Sequence, residues 1–294
     1  MSWDCVVVVG GCGFIGTNIV EEFVNKKLAN KIVVLDNYTS STDANHIVSE
    51  IVEYRKGNSW DVMDILDDVN PQIVFHLGEF SRIVTSFDKI DYVFQSNGLG
   101  TQRVAQYCVN KKARLVYSGS SSIFGNDSED SNLSPYAFLK KQNIQLLHNY
   151  KSWYGLDYVI TYFYNVYGPR DLESGSYATV VAKFRKQYAA GDPLTVVIPG
   201  NQRRIFTHVS DIVDGVFVCA RFGSGDGYKL SSDDNLSIFE LVKLFGEKAT
   251  HVLVAERKGE RFQSEMSASR ARDELEWSPK IKLAEYIQDF VHKN

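Results

Sequence analysis

The sequence predicts an α/β fold, an open, doubly wound parallel sheet joined to a smaller mixed α/β lobe, and three observations predict it. Short β-rich runs alternate with helix-like stretches without hairpin turns, so consecutive strands are linked by crossovers and lie parallel. Runs such as VVVV, IVVL and RLVY lack inside/outside alternation, as expected of strands covered on both faces. The polar or small residues that interrupt the runs, Gly10, Asp36, Asn58, Gly78 and Ser118 to Ser120, all fall just after strands. In a parallel sheet those positions share one edge, the edge where ligands bind.

The first strand is CVVVV (5–9), followed by a helix from about Ile15 and a second strand, KIVVLD (31–36). A helical stretch is expected to about residue 52, then the strand VEYRKG (52–57) and the helix-like DVMDILDDV (61–69). QIVFHLG (72–78) reads as a strand, Asp88 to Asn110 as a long helix, and RLVYSGS (114–120) as a strand. The next helix opens at Pro135, a residue suited to the first helical position, with Ser134 before it as N-cap. DYVITYF (157–163) closes this series. Past about Asn165 come loops rich in Gly and Pro, a helix near 176–190, and the short segments LTVVIPG (194–200), YKLS (228–231) and HVLVAE (251–256). Ser210 to Phe222, apolar at Ile212, Val213, Val216, Phe217 and Ala220, is expected to return to the first domain as a helix. The expected division is therefore 1–165 plus about 204–224 in a first domain, and about 166–203 plus 225–294 in a second lobe.

The chain has 294 residues, 44% of them hydrophobic, enough for a substantial core that folds unaided. Its 32 basic and 36 acidic residues leave a net charge of -4 with no block of like charges, which argues against a nucleic-acid surface or an anionic membrane. Any phosphate on a ligand must be met locally. Cys5, Cys12, Cys108 and Cys219 show no paired spacing and read as reduced thiols, with no metal site. No apolar segment approaches the length of a membrane span and no signal-type segment opens the chain, so a cytoplasmic protein is expected.

The most specific local signal is VVVVGGCGFIGTNIV, with Gly10, Gly13 and Gly16 at three-residue intervals between a strand and a helix. Glycines there allow a tight turn and close approach of a pyrophosphate, whose charge the helix N-terminus receives. Asp36 ends the second strand twenty residues after Gly16, where a carboxylate can accept from both adenosine ribose hydroxyls and would repel a 2′-phosphate. NAD is favoured over NADP. In SPYAFLKKQ, Tyr136 and Lys140 stand one helical turn apart, and Ser120 lies sixteen residues ahead of Tyr136, within reach of the same sheet edge.

Over nearly its whole length the chain resembles the extended short-chain dehydrogenase/reductase family, in particular its nucleotide-sugar epimerases and dehydratases. The motifs stand in family order: GGCGFIG, Asp36-Asn37, HLG at His76 to Gly78, SNGLGT at Ser96 to Thr101, YSGSSSIFG ending at Gly125, YAFLK, NVYGPR at Asn165 to Arg170, and RRIFTHVSD at Arg203 to Asp211. The resemblance implies a Rossmann-type first domain for NAD and a second lobe for the nucleotide sugar. It makes Ser120, Tyr136 and Lys140 the catalytic group. A phenol ionises near pH ~10, too high for a base at neutral pH, but a nearby ammonium and a nicotinamide cation would favour phenolate. Tyr136 would then remove a proton from a sugar hydroxyl as the carbon gives hydride to NAD, with Ser120 hydrogen-bonding that oxygen and Lys140 also holding the nicotinamide ribose.

Cofactor contacts are implied for Gly10, Gly13, Phe14, Ile15, Gly16, Asp36 and Asn37. They are implied also for Asn58 and Ser59, Leu77 and Gly78, Asn97, Ser118, Tyr136 and Lys140. Asn58 stands where relatives usually carry Asp beside the adenine, and an amide oxygen can still accept from the adenine amino group. Asn97 could equally cap or bridge loops. His76 reads as structural. Substrate contacts are implied for Ser120, Ser121, Asn165 and Tyr177, and for Arg204 and Arg257, whose planar forks suit a pyrophosphate.

Two departures from the family bear on the reaction. Sugar 4,6-dehydratases carry Asp-Glu directly after the catalytic Thr or Ser, and decarboxylating relatives carry Glu at the second of those positions, whereas this chain has Ser121-Ser122. What remains is reversible oxidation at one carbon, the chemistry of a 4-epimerase that recycles NAD. UDP is the favoured nucleotide because it is the commonest among such epimerases. The alternatives are a keto-sugar reductase, against which Asp36 counts, and a cofactor-sensing protein without activity, against which the intact Tyr136 and Lys140 count. Glu79 and Phe80 occupy positions where relatives often have small or neutral residues, leaving Glu79 as a substrate contact, an extra acid or a solvent-facing group. By resemblance, helices 88–110 and 136–153 pair across a homodimer interface as a four-helix bundle.

Overall fold

The computed structural model describes residues 2–125, 134–175, 177–256, 258–259 and 269–294. In chain order the first elements are β1 (Trp3–Val9), α1 (Phe14–Asn25), β2 (Ala29–Asp36), β3 (Val52–Lys56), α2 (Val62–Ile65) and β4 (Ile73–His76). There follow α3 (Ile83–Ser86), α4 (Ile90–Val93), α5 (Gly100–Lys111), β5 (Arg114–Ser120), α6 (Pro135–Tyr154) and β6 (Tyr158–Phe163). The chain continues through β7 (Val166–Tyr167), α7 (Val180–Ala189), β8 (Leu194–Val197), β9 (Arg203–Ile205), β10 (Thr207–His208) and α8 (Val209–Phe222). It ends with β11 (Gly225–Leu230), β12 (Asn235–Ser237), α9 (Ile238–Leu244), β13 (His251–Val254), α10 (Arg270–Leu275) and α11 (Leu283–Lys293).

Seven strands form one parallel sheet in the order β11-β6-β5-β4-β1-β2-β3. Successive side chains of a strand leave on opposite faces, and the first strand shows it. Val6 and Val8 enter a core with Ile19 and Phe23 of α1 and Val216 and Phe217 of α8. Val7 and Val9 enter the opposite core with Val104 of α5 and Leu147 of α6. This is the physical basis of the unalternating apolar runs. The strand order reverses between β1 and β4, and a crevice opens at such a switch point beyond the carboxyl ends of the strands.

The second lobe has its own core, in which Phe184 of α7, Val196 of β8, Leu241 and Phe245 around α9, and Ile287 of α11 meet. Its strand pairs are small: β8 with β13 parallel, β9 with β12 antiparallel, and β7 with β10 parallel. The helix expected over 210–222 is α8, packed on α1 as its apolar stripe requires.

Four expectations are corrected. The stretch to residue 52 is not helical; apart from a single 3-10 turn at Asp43–Asn45 it is loop. Its polar side chains bond nearby backbone instead, as when Asn37 Oδ1 accepts from the Thr39 amide at 3.0 Å, and such bonds compete with helix. The helix expected over 88–110 is interrupted by a π-helical segment at Phe94–Leu99. The helix expected near 176–190 starts only at Val180, where the Thr179 hydroxyl accepts from the Ala182 amide. Tyr228 to Leu230 of the YKLS segment, grouped with the second lobe from sequence, lie in β11, which completes the large sheet beside β6, with Tyr228 and Leu230 buried in the same core as α8.

Candidate active site

A cleft of about 920 Å³ lies at the carboxyl ends of β1, β2, β4, β5 and β6 and continues against the second lobe. That size suits a ligand of nucleotide dimensions. At its floor Gly10 has φ +81°, and a Cβ there would lie 2.6 Å from the Gly78 nitrogen, so the ends of β1 and β4 touch backbone to backbone. Gly16 is equally constrained, since its Cβ would stand 2.2 Å from the Gly10 carbonyl oxygen. Gly13 is the N-cap of α1, with no capping side chain and no acidic residue in the first turn. Phe14 and Ile15 therefore present uncapped amides where the helix end lines the cleft, an arrangement that receives a diphosphate.

Asp36 is buried at the end of β2, its carboxylate fixed by the amides of Cys12 (2.9 Å) and Tyr38 (2.8 Å) and by the Ser41 hydroxyl (3.2 Å). Burial beside this carboxylate pushes the Cys12 thiol up to about 12, so it stays protonated. The glycine turn, the uncapped helix end and the anchored carboxylate together fit NAD. Among the described residues no cluster of His, Cys, Asp or Glu could hold a metal ion, and no helix is long and apolar enough to cross a membrane.

Most of the expected cofactor residues line this cleft, namely Gly10, Gly13, Phe14, Ile15, Gly16, Asp36, Asn37, Ser59, Leu77, Gly78, Ser118, Tyr136 and Lys140. Asn58 and Asn97 do not. The Asn58 amide oxygen accepts from Asn37 (3.1 Å), its amide nitrogen donates to Asp61 (3.0 Å), and the wall is made by Gly57 and Ser59 on either side. Asn97 is fully buried and pairs twice with the Phe80 backbone, each bond 2.8 Å, so it ties the segment Phe94–Leu99 to the loop after β4.

The catalytic candidates come from two elements. β5 ends in Ser118, Gly119 and Ser120; the Ser120 hydroxyl accepts from the Ser122 amide (3.2 Å) and lies 2.9 Å from the Ser122 hydroxyl. α6 begins as the sequence requires, with the Ser134 hydroxyl accepting from the Ala137 amide at 3.1 Å and Pro135 in the first turn. That start fixes Tyr136 and Lys140 one turn apart, both buried and both on the cleft wall. The Lys140 ammonium donates to the Ser118 carbonyl, pairs with the Glu79 carboxylate and sits 4.8 Å from the Tyr117 ring centre.

Glu79 is the residue the sequence left most open, and the structure removes the solvent-facing option, because its side chain is 2% exposed. Its Oε1 accepts from Thr101 (2.5 Å), Tyr117 (3.0 Å) and Asn143 (3.0 Å). Thr101 is in turn 3.0 Å from His76 Nε2. Since the Thr101 proton goes to Glu79, His76 donates through Nε2, consistent with a buried neutral imidazole pulled down to about 4 by desolvation. Burial and Glu79 push the Tyr117 phenol well up, so it remains a donor.

On the side facing the second lobe, Tyr177 packs edge-on to Phe80 at 5.9 Å, and Arg82 donates to the Tyr177 carbonyl with its guanidinium 5.4 Å from that ring. Asn165 donates to the Ile205 carbonyl at 2.9 Å and, like Ser120, Ser121, Tyr177 and Arg204, lines the cleft. Arg257 lies outside the described residues. Sequence reasoning did not assign Arg82, Tyr117 or Asn143. The available signal was for Arg82 alone, which follows the β4 edge by a few residues.

A model of the NAD dependent epimerase/dehydratase family matches residues 6–230. The UDP-glucose 4-epimerase of Mycolicibacterium smegmatis is 30% identical over 309 residues, covering 97% of this chain and 96% of that protein. The UDP-N-acetyl-alpha-D-glucosaminuronate decarboxylase of Bacillus cytotoxicus is 29% identical over 259 residues, covering 81% and 78%. Among solved structures, the Thermus thermophilus UDP-glucose 4-epimerase in complex with NAD superposes with a TM-score of 0.86 at 25% identity, covering 98% of each chain.

Proposed function

The chain belongs to the NAD dependent epimerase/dehydratase family and takes NAD as its cofactor, and from that premise we propose that it is a nucleotide-sugar 4-epimerase, with a UDP-hexose as the favoured substrate. The observation that carries the choice of reaction is the environment of Ser120. Positions 121 and 122 are serines, and the Ser122 hydroxyl rests on Ser120 at 2.9 Å. Among the described residues the carboxylates lining the cleft are Asp36, Glu79 and Glu173, and each is engaged: Asp36 by backbone amides, Glu79 by Lys140, Glu173 by Arg185 at 3.7 Å. None follows Ser120 as the acid/base pair that elimination requires. Bound NAD supplies reversible hydride acceptance at one sugar carbon. Tyr136 takes the hydroxyl proton and returns it, Ser120 holds the oxygen as it passes through the carbonyl form, and Lys140 anchors the nucleotide beside them. Both UDP-glucose 4-epimerases compared above support the substrate class.

We also propose that the protein is a homodimer through α4, α5 and α6. In support, Phe94, Leu99, Trp153 and Tyr154, in or between these helices, leave large apolar side chains on the surface. For the reaction, denatured protein should release NAD, and UDP-hexoses incubated with native protein should invert at C4 without added cofactor, read by NMR. Stoichiometric consumption of NADPH would replace this reading with the reductase; retained NAD with no turnover on a broad sugar panel would replace it with a cofactor sensor.

A further inference from the structure

Glu79 lies in the loop that follows β4, paired with Lys140. Three donors from α5, β5 and α6 converge on its Oε1, and the Lys140 ammonium meets its Oε2. Both partners are buried, with side-chain exposures of 4% for Lys140 and 2% for Glu79. A buried ion pair persists when its remaining polar atoms are hydrogen-bonded, and here three donors satisfy one carboxylate oxygen while the Ser118 carbonyl takes a second ammonium proton. Among the described residues these two partners take two of the three ammonium N–H groups, and Lys140 also lines the cleft.

We infer that Glu79 is a positioning residue for the reaction, a buried counter-ion that fixes Lys140 in the cleft wall and offsets its positive charge, so that Lys140 serves Tyr136 and the nucleotide chiefly by its hydrogen bonds. The inference rests on the roles proposed above for Tyr136 and Lys140. The other groups around the pair do not compete for this function. His76 of β4 is a neutral imidazole, Tyr117 of β5 stays a phenol, and Thr101 of α5 and Asn143 of α6 carry no charge. Arg82, in the loop after β4, is directed to the Tyr177 carbonyl. Tyr136 is thus set in a wall whose lysine has its own carboxylate.

The test reads Tyr136 directly. Its ionisation is followed as the near-ultraviolet phenolate absorbance that disappears with Tyr136→Phe, in NAD-loaded protein with and without Glu79→Gln. Removing the carboxylate takes a negative charge from beside Lys140, so the transition should move to lower pH. A transition that stays in place would show that Glu79 only fills space and would overturn the inference. A second measurement covers a Glu79→Gln protein that fails to fold. In a cycle with Lys140→Met, the double variant should melt above either single variant, because removing both charges leaves neither one buried alone. Melting losses that simply add would overturn it as well. Neither readout needs a sugar, so a protein that inverts no hexose would fail the functional reading and leave this one standing.

Discussion

Asp36 ties the glycine turn after β1 to the loop after β2, since its carboxylate collects the amides of Cys12 and Tyr38. Asp36→Asn keeps the shape and removes the charge, and calorimetry on cofactor-stripped protein should show NAD bound about tenfold to a hundredfold more weakly, the worth of one charged hydrogen bond. Tyr136→Phe should lower turnover by about a hundredfold to ten-thousandfold while NAD content stays unchanged. His76 gives a stability prediction. Its imidazole is held down to about 4 when folded and titrates near 6.5 when unfolded, so the unfolded chain binds the extra proton between those values. The associated stability is present above pH ~6.5, declines as the pH falls, and is gone below pH ~4, a change of about 3 kcal/mol. Asp171, raised to about 6 by burial, acts in the opposite direction over part of that window. The comparison is therefore with His76→Gln, which keeps Asp171 and a donor for Thr101; urea unfolding at several pH values should show a smaller acid loss in that variant. At this scale, residues with one local task were legible: the Ser134 cap, the turn glycines, Asp36. Glu79 was not, because its partner lies on α6, and no local pattern announces a tertiary ion pair.

Among the elements, α1 is pinned at both ends of its buried stripe. Phe23 meets Phe75 of β4 at 5.4 Å and Phe217 of α8 at 4.7 Å, both edge-on. Phe23→Ala should cost about 3–5 kcal/mol in denaturant unfolding, since three elements would face the cavity. At the other end, Gly16→Ala would drive a Cβ into the Gly10 carbonyl, backbone that cannot swing aside. Its expected cost is about 1–3 kcal/mol, accompanied by loss of copurified NAD. The π-helical turn at Phe94–Leu99 sits where Asn97 reaches out to the Phe80 backbone and where Gly100 permits contact with Ser59. Long strands such as β1 and β5 declared themselves by being apolar on both faces. β11 did not, because GDGYKL opens with two glycines and an aspartate, and only its pairing with β6 makes it a strand.

For the molecule as a whole, the two faces of the large sheet are closed differently. Helices α1 and α8 cover one, α5 and α6 the other, and on the second side Leu99, just before α5, and Trp153 and Tyr154, at the end of α6, are left exposed. Sedimentation should report twice the 33.2 kDa chain mass, and Leu99→Glu combined with Trp153→Glu should shift it toward the monomer. The doubly wound class and the site edge were legible because they depend on patterns repeated along the chain, while the path between the lobes depends on contacts between distant segments. That path runs from β6 into the second lobe, back through α8 and β11 to the large sheet, out again through β12, α9 and β13, and back once more at α10, whose Arg270 donates to the carbonyls of Ser224 and Asp226 around β11. Neither half can be excised as a continuous fragment: a chain cut at 165 would lack the helix and edge strand that seal its sheet. A change of specificity in a chain woven this way comes by substitution within it, since each lobe is assembled from segments that are not continuous in sequence.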